Sequence, residues 1–74
     1  MEAVKSENEG DLARAVRYVR DGRIAIARET VRIVRLRAAG HSTLDAEQAL
    51  GALITTLAIF EEHEKALRSA EISN

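Results

Sequence analysis

The sequence predicts an all-α fold, an antiparallel two-helix hairpin, and three observations carry that prediction. The 74 residues include no Pro, and the commonest types, Ala, Arg, Glu and Leu, are strong helix formers. Apolar residues recur at steps of three and four along two long stretches. Between those stretches lies a single short interruption, Ala39-Gly40-His41-Ser42-Thr43, in which a helix-ending residue is followed by two helix-starting ones. A connection that short makes the flanking helices run antiparallel.

Residues 1–10 are polar and acidic and read as a flexible segment. Ser6 with Glu9, or Asp11 alone, is the expected cap of the first helix, which spans about 11–39. Its apolar stripe is Leu12, Val16, Val19, Ile26, Ile33 and Leu36, with Ala15 and Thr30 between. Asp21-Gly22 resembles a turn signal, but the stripe keeps its phase from Val19 to Ile26, which a turn would reset. Gly22, which costs about 1 kcal/mol relative to Ala in a helix, therefore reads as a close helix approach or a slight bend. A second apolar row, Ile24, Ala27, Val31, Val34 and Ala38, lies well around the cylinder from the first.

Residues 40–43 form the turn. Gly40 supplies the left-handed residue that closes a helix, and Ser42 or Thr43 caps the next one by accepting from an N–H two or three residues on. The second helix covers about 44–71. Its stripe, Ala46, Leu50, Leu53, Leu57, Phe60, Glu64, Leu67 and Glu71, alternates steps of four and three, the spacing of a coiled coil, and Ile54, Ala58 and Ile59 broaden it. Antiparallel pairing sets Glu64 and Glu71 near Arg14, Arg17 and Arg20, where ion pairs are expected.

One partner helix cannot cover both apolar rows of the first helix, and a chain of this size has a marginal core. With no Cys there is neither a disulfide nor a thiolate metal site to support it. The expected solution is a homodimer, two hairpins forming a four-helix bundle with crossings near 20°. Leu12, Val19, Ile26, Val31, Ile33, Val34, Leu50, Leu53, Leu57, Phe60 and Leu67 would form the core and dimer contacts.

The net charge of -1 conceals an asymmetry. Residues 11–39 carry eight Arg against Asp11, Asp21 and Glu29, or +5, whereas residues 40–74 carry Lys65 and Arg68 against six acids, or -4. The first reading of that split is attraction between the two helices themselves. The second is a ridge of Arg14, Arg17, Arg28, Arg32 and Arg35 that follows phosphates. Against that reading stand the lack of aromatic residues in the ridge for base stacking and a pI near 6.1.

Other chemistry has little to stand on. His41 suits the turn, donating to Asp45 or to the last carbonyls of the first helix. His63 has Ile59, Phe60, Ala66 and Leu67 at the positions where a helical metal pair needs its second ligand, so no metal site is expected. No Ser, Thr or Cys stands in a nucleophile–base pattern and no Gly-rich phosphate loop is present, so neither an enzyme nor a cofactor is expected. The first residues lack the basic and apolar regions of a signal peptide, and no apolar run reaches the length of a membrane span, which makes the cytoplasm the expected location.

Between Arg28 and His63 the chain resembles a group of short, mostly uncharacterised α-proteobacterial proteins of rhizobial type. The residues that carry the likeness are Ala27-Arg28-Glu29, Val31, Val34, Leu36-Arg37, Ala39-Gly40-His41-Ser42-Thr43, Ala46-Glu47, Leu50, Leu53, Thr56-Leu57, Phe60 and His63. The Gly-His-x-Thr turn followed by Ala-Glu is its most specific part. The resemblance covers about half the chain and implies a helical hairpin from a bacterial cytoplasm, with no catalytic or binding residue attached. The functional expectation is a small non-enzymatic interaction or adaptor protein that dimerises and contacts a further protein, with no membrane. The alternative is an RNA- or DNA-binding regulator similar to the repressor-of-primer hairpin dimer, using the Arg ridge.

Overall fold

The computed structural model describes residues 10–73, which form two helices, α1 (Asp11–Ala38) and α2 (Leu44–Ser73), packed side by side. The expected flexible segment and the Ser6–Glu9 cap fall on residues 1–9 and lie outside the described residues. Gly10 occupies the cap position of α1 with no side-chain capping bond, and Asp11 sits in the first turn, where its charge favours the positive end of the helix dipole.

The turn is built by hydrogen bonds that close one helix and open the next. The Gly40 N–H donates to the Arg37 carbonyl at 3.1 Å, and the His41 N–H donates to the Leu36 carbonyl at 2.9 Å. Together these are a Schellman closure, which needs a left-handed residue at its centre, and Gly40 has φ 78. Ser42 Oγ then accepts from the Leu44 N–H at 3.3 Å, satisfying one orphan donor of α2. Thr43 takes a different role from the expected one. Its backbone carbonyl accepts from the Glu47 N–H at 2.8 Å, while its hydroxyl donates to the Glu47 carboxylate at 2.6 Å.

The helices meet along two matching seams. On α1 the covered residues of the seam are Leu12, Ala15, Val19, Gly22, Ile26, Glu29, Ile33 and Leu36. Opposite them are Thr43 of the turn and, on α2, Ala46, Leu50, Leu53, Leu57, Phe60, Glu64 and Leu67, and no other described α2 side chain is covered. Both seams alternate steps of three and four, which keeps one edge of each helix against the other. The register is fixed where Gly22 faces Leu57: a Cβ on Gly22 would stand 3.2 Å from Leu57 Cδ1. One turn away Tyr18 lies on Phe60, ring centroids 5.4 Å apart and tilted by 35°.

The α1 seam differs from the expected stripe at two points. Ala15 is buried and Val16 is exposed, because in this register position 15 comes opposite Glu64, and a small side chain leaves room for the longer one. Glu29 rather than Thr30 takes the other place. The Thr30 hydroxyl instead bonds back to the Ile26 carbonyl at 2.8 Å. The two seam acids are held in the same way: Glu29 pairs with Arg32 at 2.9 Å and Glu64 with Arg68 at 2.8 Å, with side chains only 16% and 18% exposed.

Four variants test this construction. Gly40→Ala should lower stability by about 1 kcal/mol, since it places a Cβ on a left-handed residue, and the paired change Ser42→Ala with Thr43→Ala should cost a similar amount through the lost cap. Gly22→Ala should raise the melting temperature slightly, because the helix gain of up to about 1 kcal/mol outweighs a shift of the half-covered Leu57 methyl. Gly22→Val should lower it by forcing the helices apart.

Candidate functional site

The helices leave much apolar surface uncovered, and it is organised. The buried side chains are Ala15, Val19, Ile33 and Ala46 alone among the described residues. Leu12, Ile26, Leu50, Leu53, Leu57, Phe60 and Leu67 are half-buried along the seam. The second row of α1 is outside it: Ile24 and Ala27 are exposed, Val31 is 48% exposed and Val34 58%. At about 100° per residue this row points nearly straight away from α2. On α2, Leu44, Ile54 and Ile59 also face outward.

The two long faces of the hairpin have different chemistry. On one face the residues that follow the seam positions include Arg23 and Arg37 on α1 and Glu47 and Glu61 on α2. They join in two pairs between the helices, Arg23–Glu61 at 3.1 Å and Arg37–Glu47 at 3.4 Å. All four side chains remain well exposed, so each pair adds little stability and mainly marks the register. On the opposite face the residues that precede the seam positions include Tyr18, Ala25, Arg28, Arg32 and Arg35 on α1 and Asp45, Ala49, Ala52, Thr56, Ile59 and His63 on α2. That face is rich in arginine on α1 and carries mostly short side chains on α2.

A groove of about 670 Å³ opens beside the turn end of α1. Its floor is apolar, from Ala27, Val31, Leu36 and Ala39, and its rim carries Arg28, Arg32, Arg35 and His41. Arg32 is tied to Glu29, whereas Arg28 and Arg35 have no ion-pair partner among the described residues. The expected ridge is thus divided: Arg28, Arg32 and Arg35 surround one groove, and Arg14 and Arg17 stand half-covered near the other end of α1. Of the residues expected to pair there, Glu64 holds Arg68 at 2.8 Å and Arg20 lies beside Asp21 at 3.6 Å.

His41 joins the turn through its backbone N–H and lines the groove, with no hydrogen bond to Asp45. His63 is exposed on α2. Among the described residues no group of three or more His, Cys, Asp or Glu is placed to hold a metal ion, and no helix is long and apolar enough to cross a membrane. The sequence pattern identified the Arg residues and Val31 separately. It did not bring them together with His41, because that meeting depends on how the chain folds back at Gly40.

Compared with family models, with curated proteins and with solved structures, the chain matches none.

The burial pattern separates two classes of apolar residue by experiment. Ile33→Asp or Leu53→Asp places a charge in the seam and should unfold the hairpin, read as loss of helical circular dichroism. Val31→Asp with Val34→Asp changes only residues that the hairpin leaves in water. It should keep the helical signal at low concentration while removing any concentration-dependent gain in melting temperature.

Proposed function

We propose that this protein is a small non-enzymatic interaction protein that dimerises into a four-helix bundle and contacts a further protein through its helical surface. The observation behind this reading is the outward apolar row of α1, with Val31 and Val34 about half exposed, beside the outward Ile54 and Ile59 of α2. Burying one such side chain contributes about 1.5–3 kcal/mol relative to leaving it in water. With four buried side chains among the described residues, the hairpin gains most from a second layer. Two copies related by a two-fold axis are the simplest closed arrangement that supplies one. A bacterial cytoplasmic setting, which the sequence resemblance implies, belongs to the same proposal.

A second reading rests on the groove rim. Arg28, Arg32 and Arg35 together offer a local positive patch, and doubled by symmetry it would suit an RNA or DNA backbone, as in a Rop-like regulator. The interaction reading is preferred because the floor between these guanidiniums is apolar and the chain as a whole carries a slight net negative charge.

Sedimentation velocity at micromolar concentration decides the first point. The expected species is about twice the chain mass of 8.1 kDa, and a folded species of one chain mass would overturn the dimer. Binding to labelled RNA and DNA across a salt series addresses the second. The interaction reading expects weak, sequence-indifferent retention, while tight binding that falls steeply with salt would replace it with the regulator.

A further inference from the structure

Of the two long faces, the one that carries the ion pairs between the helices is the better suited to burial. Among the residues that follow the seam positions there, Val16, Val34, Leu44 and Ile54 are each more than a third exposed. Its mid-face charges are matched, Arg23 by Glu61 at 3.1 Å and Arg37 by Glu47 at 3.4 Å. Between these two pairs the face is uncharged, with Ala27, Thr30 and Val34 on α1 and Gly51, Ile54 and Ala58 on α2. Covering the opposite face would instead bury Arg28 and Arg35, which have no ion-pair partner among the described residues. An uncompensated buried charge is strongly destabilising.

A second copy can cover this face by a two-fold axis in either of two directions. An axis running across the helices lays α1 on α1 of the other copy and inverts every height. With the faces fully overlapped, Arg23 then comes over Arg37 and Glu61 over Glu47, like charge on like. An axis running along the helices lays α1 on α2 of the other copy and leaves every height unchanged. Arg23 then stands level with Glu61 of both chains, and Arg37 with Glu47 of both, so charges alternate around the axis. The ion pairs already formed in one hairpin thus select the second arrangement.

We propose that the face of the Arg23–Glu61 and Arg37–Glu47 pairs is covered by the same face of a second copy, with the two turns at the same end. This rests on the dimer reading above and deepens it by naming the surface and the relative direction of the hairpins. Each helix then has two antiparallel neighbours, one from each chain, and the assembly closes. Ile54 comes against Ala27 and Thr30 of the other copy, and Val34 against its Leu44. Gly51 lies near the height of the other copy's Ala27. A Cβ on Gly51 would meet nothing within 4 Å in one hairpin, and without one the second chain approaches closely.

Exchanging one ion pair tests face and direction together. A chain carrying Arg23→Glu with Glu61→Arg keeps opposite charges at two exposed positions, so its helical circular dichroism should match the parent's. It should also dimerise as tightly as the parent, because its charges still alternate around the axis. In an equimolar mixture with isotope-labelled parent the two chains should sort, since a mixed dimer sets like charges together. Native mass spectrometry should then find mixed dimers at about a fifth of the total or less, against half for random exchange. Mixed dimers at half would put the ion pairs outside the interface and overturn the proposed face. An exchanged chain that dimerises several-fold more tightly than the parent would overturn the direction, since only the inverted arrangement loses like-charge contacts on exchange.

Neighbouring α2 positions give a second, independent measurement. Gly51 and Ala52 are both exposed, Gly51 on the proposed face and Ala52 on the opposite one. Gly51→Lys and Ala52→Lys should both keep the helical signal. Gly51→Lys should weaken dimerisation about tenfold or more, while Ala52→Lys leaves it within about twofold. Equal effects, or a larger one from Ala52→Lys, would overturn the face. If the parent sediments as a single chain, the dimer and this surface both fail. If the parent dimerises but the chains do not sort and Gly51→Lys associates normally, the dimer stands and this surface is wrong.

Discussion

Gly22 against Leu57 sets the level at which the two helices meet. With no side chain on Gly22, Leu57 approaches to where only 3.2 Å would separate its methyl from a Cβ. From that contact each seam steps outward by threes and fours in both directions. It places Ala15 opposite Glu64 and lets Tyr18 lie on Phe60. It also levels the two salt bridges on one face. A glycine that weakens an isolated helix here leaves room for a side chain of the other.

The seam is long but thin. Each helix offers one covered position per half heptad, and several of those are occupied by Ala, Gly, Thr or Glu rather than by large apolar groups. Glu29 and Glu64 are retained in the seam because an Arg three or four residues on holds each carboxylate within its own helix. A core this small contributes little by itself. The larger aliphatic side chains that complete the apolar content of the chain stand outside it, on α1 at Val31 and Val34 and on α2 at Ile54 and Ile59. Any association that covers them stabilises the fold by mass action as well as forming a complex. Folding and assembly are then two views of one equilibrium.

Much of the hairpin was legible in the residues. The Gly40 turn, the capping role of Ser42, the continuity of α1 through Gly22 and the α2 seam from Ala46 to Leu67 all follow from local rules about dihedral preference and period. The misreadings share one cause. Val16 and Ala15 both fit a three-and-four spacing, as do Thr30 and Glu29, and hydrophobicity alone favours Val over Ala and Thr over Glu. What selects among them is the side chain that arrives from the other helix.

Sequence alone determined the number of helices, their direction and the excess of apolar surface on α1, because these depend on residues near one another along the chain. Only the tertiary structure decided which face was joined by Arg23–Glu61 and Arg37–Glu47. It alone gathered Arg28, Arg35 and His41 around an apolar floor. Those outcomes depend on the relative rotation and register of two helices, which are set by packing at Gly22 and Leu57 and cannot be read from either helix by itself.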